Sequence, residues 1–148
     1  VFATVDAEEA GMHGSAHLVK NFPLGKENIV LNINMDMISR NDKNELYACG
    51  IFHYPQLKEP LTKVKSSITL MSGHDNPNDK KLDNWTNSSD HRSFHKEKIP
   101  FIYFGVEDHK DYHKDTDTFE NINQDFYVEA VKLIIQSVEN YDMYLKKN

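Results

Sequence analysis

Apolar residues follow two different periods along this chain. Short apolar or alternating runs, typical of strands buried in a sheet, occur at residues 1–7 (VFATVDA), 28–38 (NIVLNINMDMI), 45–51 (ELYACGI) and 99–106 (IPFIYFGV). In contrast, the apolar side chains of residues 125–146 recur every three or four positions, which is the period of one helical face. The pattern therefore predicts four strands and a long carboxy-terminal helix.

Three shorter helices and a long loop are predicted between the strands. Helical patterns occur at residues 14–22, 55–71 and 91–98, and Ser15 is a candidate N-cap for the first of them. Residues 72–90 are rich in Asn, Asp and Ser, which is typical of a loop. A loop of this length inside a compact domain is often functional.

The alternation of strands with helices favours an α/β fold. We expect a three-layer α/β/α sandwich on a mostly parallel mixed sheet, because near-continuous apolar strands must be covered on both faces. The chain has 148 residues, of which 39% are hydrophobic and 27% are charged, a composition that suits one globular domain. No internal repeat or low-complexity tract divides the sequence, so residues 1–148 are assigned to one domain.

Charge and cysteine content exclude several classes of function. The net charge is −6 and the lysines and arginines form no cluster, which argues against nucleic-acid binding. Cys49 is the only cysteine of this sequence, so no disulfide can form within it. No run approaches the roughly 20 apolar residues of a membrane-spanning helix, and nothing at the amino terminus resembles a signal peptide. Since the sequence starts at Val1 without a methionine, we expect a mature form or a piece of a longer protein.

Polar side chains collect where the predicted strands end. Ligands bind at the strand ends of α/β sheets, so these side chains are candidates for a common site. Carboxylate and imidazole groups suit zinc or a related divalent ion, and a second carboxylate beside a ligand can act as general base. The candidates are Glu8 and Glu9 after the first strand, Asp36 near the end of the second, Asp90 and His91 after the long loop, and His113 and Asp117 after the fourth strand.

Several of the candidates also have an ordinary structural explanation. Glu8 and Glu9 alone would more often be solvated turn residues. Asp90 would serve as the N-cap of the helix that follows it. His113 would be an ordinary surface histidine, since the chain has eight histidines. Asp36 is the exception, because a carboxylate within an apolar strand is costly to bury without a partner.

Five segments, taken in order, resemble a known family of enzymes. They are EEAGMHGS (8–15), NINMDM (32–37), SSDHRSF (88–94), IPFIYF (99–104) and DYHKDTDT (111–118). Together they are similar to the co-catalytic di-zinc metallopeptidases of family 28, which include bacterial leucyl aminopeptidases and glutamate carboxypeptidases. The resemblance spans nearly the whole chain. It implies a zinc-peptidase-like fold and an enzyme that acts on peptide substrates.

The resemblance implies a role for the acidic pair and its partners. Glu8 matches the general base, which takes a proton from the attacking water and later passes it to the leaving amine. Glu9 and His113 match ligands of one zinc ion, and Asp36 matches a ligand of the other. Gly11 and Gly14 would ease the close backbone approach of the turn that carries both glutamates.

Three further residues are implied to support this site. Asp90 and His91 match a Ser-Asp-His segment that lies near the metals, either behind the ligands or against the substrate. Asp117 is implied to orient His113 or its loop, as carboxylates often do for ligating histidines.

The match lacks one motif of the family. Its members carry a His-x-Asp motif upstream of the paired glutamates, which supplies a zinc ligand and the bridging aspartate. No such triplet precedes Glu8, and the triplet at residues 109–111 lies in the wrong order. We therefore expect an incomplete domain, the carboxy-terminal part of a longer enzyme that binds two zinc ions. By itself this chain is expected to bind one zinc ion or none, to be largely inactive, and to expose surfaces that favour a homodimer.

Two other functions share this fold. A glutaminyl cyclase-like transferase would keep a single zinc ion and act on amino-terminal glutamine. A non-catalytic binding domain would keep the fold without metal chemistry, although it would not need the paired glutamates, Asp36 or His113. Within the peptidases, the sequence does not separate aminopeptidase, dipeptidase and carboxypeptidase. A secreted or periplasmic location is expected only because it is usual among the bacterial members of the family. A cytoplasmic location is equally compatible with the single cysteine.

Overall fold

The structure of the protein is a computed structural model that describes residues 1–147. Short 3-10 turns lie at Lys26–Asn28, Pro55–Leu57 and Phe119–Asn121. The strands and α-helices of the described residues, in chain order, are α1 (His13–Lys20), β1 (Asn32–Met35), β2 (Glu45–Cys49), α2 (Lys58–Leu61), β3 (Thr69–Ser72), α3 (His91–Lys96), β4 (Phe101–Gly105) and α4 (Gln124–Leu145).

The four strands form one sheet in the order β1-β4-β2-β3. β1 pairs with β4 and β2 pairs with β3 in parallel, whereas β2 and β4 are antiparallel. The predicted mostly parallel mixed sheet is therefore confirmed. In the register of β1 and β4, Met35 lies beside Phe104. Since these two strands run in the same direction, their carboxyl ends share one edge of the sheet.

Helices α2 and α4 cover one face of the sheet. Leu46, Ile102 and Phe104 point from β2 and β4 into this layer and are fully buried. Asn123 caps α4, because its side-chain oxygen accepts the Phe126 N–H at 3.0 Å. None of the helices within residues 1–147 is long and apolar enough to cross a membrane.

Helices α1 and α3 cover the opposite face, together with the loop between β3 and α3. Phe101 and Tyr103 alternate along β4 with the residues of the first face and are buried beside Trp85 of the loop. Val19 of α1 packs with Phe94 of α3 in a smaller apolar cluster. Helices thus lie on both faces of the sheet, and the predicted three-layer α/β/α arrangement is confirmed.

Residues 1–7 do not form the predicted first strand. The side chains of Val1 and Phe2 are 92% and 95% exposed, and no strand within residues 1–147 pairs with this segment. Apolar side chains alone do not make a strand, because the extended backbone must hydrogen-bond to a neighbour. β1 is likewise shorter than its predicted run, and it is an edge strand of the described sheet. Association of two chains through such an edge stays a prediction.

The predicted helix at residues 55–71 is two elements. α2 ends after one turn at Leu61, and residues 69–72 pair with β2 as strand β3. A short apolar run such as residues 68–71 has the same sequence pattern in a helix and in a strand. Whether it forms a strand depends on whether a neighbouring strand is there to pair with it.

Ser15 joins two helices and does not cap α1. Met12 occupies the N-cap position with a left-handed φ of 63°, and Ser15 lies inside the helix. The Ser15 hydroxyl is buried and lies 2.9 Å from the Ser93 hydroxyl of α3. This buried contact fixes α1, and with it the turn before α1, against α3.

The buried hydroxyl of Tyr141 gives a test of the packing of α4. It donates to the Leu57 carbonyl at 2.7 Å and so joins α4 to the turn before α2. Tyr141→Phe removes this buried hydrogen bond, and we expect the free energy of unfolding to fall by about 1 kcal/mol. Urea denaturation measures the change, with Tyr127→Phe as the control because Tyr127 is 41% exposed. Equal stability of the two variants would contradict this assignment.

Candidate functional site

A cavity of about 650 Å³ lies at the edge of the sheet where β1 and β4 end. Its walls come from the turn before α1, the segment after β1, the loop before α3 and the loop after β4. Of the seven predicted site residues, His91 does not line this cavity. The six that line it are Glu8, Glu9, Asp36, Asp90, His113 and Asp117.

The two glutamates lie in a tight turn that packs against α1. The backbone N–H groups of Gly11 and Met12 both donate to the Glu8 carbonyl at 2.8 Å. The Gly14 N–H donates to the Asp6 carbonyl at 3.1 Å, and a Cβ on Gly14 would lie 2.7 Å from the Asp6 nitrogen. The predicted close backbone approach is therefore confirmed at Gly14, where no side chain fits.

Glu9 and His113 are in contact across the cavity. The Glu9 Oε1 and His113 Nε2 atoms lie 3.2 Å apart, and both side chains are more than half exposed. His113 has a left-handed φ of 56°, and its ring stacks on Tyr112 with centroids 3.9 Å apart. The loop after β4 thus returns over the sheet edge and brings the imidazole to the glutamate turn.

Asp36 is held by Ser89, which is not among the seven predicted site residues. Its N–H donates to the Phe104 carbonyl at 3.2 Å, which extends the β1–β4 ladder by one residue. Its Oδ2 accepts the hydroxyl of Ser89 at 2.8 Å, and the Asn34 amide donates to the same hydroxyl oxygen at 2.9 Å. Asn34 and Asp36 are two residues apart along an extended segment, so their side chains point to the same face of the sheet. This spacing is the feature of the sequence from which their proximity could have been predicted.

His91 supports this arrangement from the core. It is fully buried, and its ring stacks on Phe101 and Tyr103. Its Nε2 donates to the Trp85 carbonyl at 2.8 Å, and its Nδ1 faces the Asn34 amide nitrogen at 3.4 Å. Burial lowers the pKa of His91 to about 4, so the ring is neutral at physiological pH. Because the ring lies behind the cavity wall, of its two implied roles only the supporting one fits.

Asp90 does not cap α3 with its side chain, and Asp117 contacts the loop of His113 at His109 and does not contact His113 itself. Asp90 precedes α3, but its side chain makes no capping hydrogen bond, and its buried Oδ1 has no hydrogen-bond partner within residues 1–147. Asp117 Oδ2 lies 3.7 Å from His109 Nε2, so it pairs with that histidine and not with His113. The chain turns back at Lys114, whose carbonyl accepts the Asp117 N–H at 3.1 Å, and this turn places Asp117 beside His109.

Burial and negative neighbours raise the pKa of Glu8 above its ordinary value. Partial burial is the largest cause, and the carboxylates of Asp36, Glu9 and Asp90 act in the same direction, while His113 opposes them. A carboxylate whose pKa is raised in this way accepts a proton more readily near neutral pH.

The donor atoms of the cavity match a metal site in part. Within residues 1–147, no group of three or more His, Cys, Asp or Glu side chains is placed to hold a metal ion. Two tetrahedral zinc ligands with bonds of about 2.1 Å lie about 3.4 Å apart. The 3.2 Å separation of Glu9 Oε1 and His113 Nε2 is close to that value. The distance is equally that of an ordinary ion pair, and within residues 1–147 no third candidate ligand joins Glu9 and His113 as a metal-binding group.

Comparison with known proteins assigns the chain to a family of hydrolases. The family described as "Peptidase family M28" matches residues 1–138. A comparison with curated proteins gave no match.

Solved structures of bacterial aminopeptidases share the fold. The zinc aminopeptidase BSAP of Bacillus subtilis has a TM-score of 0.67 and 24% identity, over 91% of this chain and 34% of that one. The LapA aminopeptidase of Legionella pneumophila has a TM-score of 0.71 and 16% identity, over 93% and 38%. An aminopeptidase from Aneurinibacillus sp. strain AM-1 has a TM-score of 0.68 and 20% identity, over 91% and 31%. The chain spans about a third of the length of these relatives.

The lowered pKa of His91 predicts a loss of stability in mild acid. The unfolded chain takes up a proton on this residue near pH 6.5, whereas the folded chain does so only near pH 4. The contribution of His91 is therefore complete above about pH 6.5 and is lost as the pH falls towards 4, by up to about 3 kcal/mol. Urea denaturation across this range measures the slope, which His91→Gln is expected to remove.

A matched control for this experiment is His13→Gln. His13 is exposed in the same part of the fold, so this variant is expected to keep the wild-type slope. The interpretation would be wrong if His91→Gln kept the wild-type decline between pH 6.5 and pH 4.

Proposed function

The chain belongs to peptidase family M28, and from that membership we propose that it supplies the general base and three metal-ligating side chains of a zinc-dependent aminopeptidase. The observation that carries the proposal is the contact of Glu9 with His113, 3.2 Å apart, in the cavity that Glu8 also lines. The paired glutamates and His113 are more than 100 residues apart in sequence. Only the fold brings them to one place.

The carboxylate and imidazole groups would hold zinc. Glu9 and His113 would bind one ion, and Asp36 would bind a second, with its carboxylate orientation fixed by Ser89. Zinc at this place would polarise the carbonyl of the substrate and make water a usable nucleophile near neutral pH.

Glu8 would act as the general base. It lies next to a ligand in sequence and lines the same cavity, so its carboxylate can take a proton from the attacking water. Its raised pKa suits the second half of this role, in which the proton passes to the leaving amine. The negative neighbours that raise the pKa are the same groups that would bind metal.

The charge of the cavity supports action at the amino end of a peptide. No lysine or arginine is among the residues that line the cavity in the described chain, so nothing there would pair with the terminal carboxylate that a carboxypeptidase must hold. A free α-ammonium group would be attracted. The acidic lining residues are Glu8, Glu9, Asp36, Asp83, Asp90, Asp108 and Asp117.

Zinc content and hydrolysis of the same samples test the proposal. Because only two donors are in contact, we expect weak binding of about one zinc ion per chain and slow hydrolysis of leucyl-p-nitroanilide. Glu9→Gln is expected to lose the zinc. Glu8→Gln is expected to keep the zinc and to lose a further 10²- to 10⁴-fold, roughly, in kcat. Elemental analysis and a chromogenic assay measure both quantities.

Glu59→Gln is the control, because Glu59 lies on α2 with its side chain 60% exposed. This variant should match the wild type in both measurements. Zinc binding that survives Glu9→Gln, or hydrolysis that survives Glu8→Gln, would contradict the assigned roles. Cyclisation of a glutaminyl peptide in place of hydrolysis would favour the transferase.

A further inference from the structure

A buried ion pair joins the segment after β1 to the loop after β4. Arg40 Nη1 lies 2.6 Å from Asp111 Oδ2, and the two side chains are only 13% and 10% exposed. We propose that this pair is a positioning device that holds His113 beside Glu9 and in a fixed relation to Asp36. The proposal rests on the proposed zinc site, because it concerns the geometry of the ligands of that site.

The position of each partner along the chain makes the link direct. Arg40 follows Asp36 by four residues, and Asp111 precedes His113 by two. A movement of one ligand-bearing segment relative to the other would therefore have to stretch the ion pair. The β1–β4 ladder ends at the N–H of Asp36, so the ladder does not hold the loop that follows β4.

Asp111 is hydrogen-bonded to two residues that follow His113. Its Oδ1 accepts the Thr116 hydroxyl at 2.8 Å, and its carbonyl accepts the Lys114 N–H at 2.9 Å. Asp111, which precedes His113, is thus bonded to the chain that follows it, so His113 lies inside a closed turn. A fixed Asp111 therefore fixes the turn from which the imidazole projects.

His113 needs such an external constraint. Its side chain is 58% exposed and its backbone is left-handed, with φ at 56°, a conformation that a non-glycine residue keeps only where its surroundings impose it. Its ion-pair and ring contacts within residues 1–147 are to Glu9 and to Tyr112, neither of which is fully buried. The Arg40–Asp111 pair lies two residues before His113 and, with its side chains only 13% and 10% exposed, can impose the turn.

A second ion pair joins the same two segments and provides a matched control. Lys43 Nζ lies 3.1 Å from Glu107 Oε2, but these side chains are 66% and 35% exposed. Exposed pairs constrain little, whereas loss of one partner from a buried pair leaves an uncompensated charge. Glu107→Gln therefore removes a link between the same segments without disturbing the buried one.

The first experiment measures the position of His113 without metal. Ring nitrogen and proton chemical shifts of His113 are recorded by NMR in chelator-treated protein, with and without Glu9→Gln. In the wild type and in Glu107→Gln, the Glu9 substitution is expected to shift the His113 ring signals. In Asp111→Asn the same substitution is expected to have no effect, because the imidazole no longer lies beside the carboxylate.

The second experiment measures zinc affinity by competition with a chromogenic chelator, with Tm recorded for each variant. We expect Asp111→Asn to weaken binding by about 10-fold or more, and Glu107→Gln to leave it within about twofold. Arg40→Lys keeps the charge but not the guanidinium geometry, so a smaller loss is expected. This variant keeps the test decisive if Asp111→Asn does not fold.

The outcomes separate this inference from the proposed function. Zinc that binds through Glu9 and His113, with unchanged affinity in Asp111→Asn and Arg40→Lys, would overturn the positioning role and leave the zinc site intact. Zinc binding that is independent of Glu9 would overturn the site, and the metal-free NMR comparison would still decide the positioning role. A lower Tm with an unchanged response of His113 to Glu9→Gln would mean that the ion pair only stabilises the fold.

Discussion

The parallel pairing of β1 with β4 is the constraint on which the candidate site depends. It aligns Met35 with Phe104, so the chain leaves both strands at the same edge of the sheet. Asp36 follows at once, and the loop after β4 carries His113 back over that edge. β2 runs antiparallel to β4, so its carboxyl end lies at the opposite edge. A reversal of either β1 or β4 would separate Asp36 from His113 by the length of a strand.

The polar groups behind the site are ordered by one buried imidazole. His91 uses the single N–H of its neutral ring on the Trp85 carbonyl, so its other nitrogen can only accept. That nitrogen faces the Asn34 amide, which also donates to Ser89, and the Ser89 hydroxyl is left to donate to Asp36. Each step sets the direction of the next. Buried polar groups that are bonded in this way fix one geometry, because an unpaired alternative is costly in the core.

The parts of the fold that were predictable from sequence are those whose pattern is set by burial alone. β4 is apolar at every position but its glycine, and α4 carries one long apolar face, so both were found. Residues 1–7 and β3 were assigned wrongly because a strand is defined by its partner, which the pattern of one segment does not show. Six of the seven candidate site residues line one cavity because strand ends converge in this class of fold. Ser89 and the pairing of Asp117 with His109 depend on side-chain directions in irregular loops, for which sequence offers no period.

Charge and backbone conformation oppose stability at this edge of the sheet. Burial and the carboxylates of Asp36 and Glu9 make ionised Glu8 unfavourable. Left-handed non-glycine residues directly precede Glu8, directly follow Asp36 and include His113 itself. Such conformations persist only where the rest of the fold imposes them, and the buried polar chain and ion pair around the site are the groups able to do so. A cation that binds only the folded chain would offset the repulsion, because binding to the folded state alone shifts the equilibrium towards it. The unfavourable charge and the proposed metal site are therefore two consequences of the same geometry.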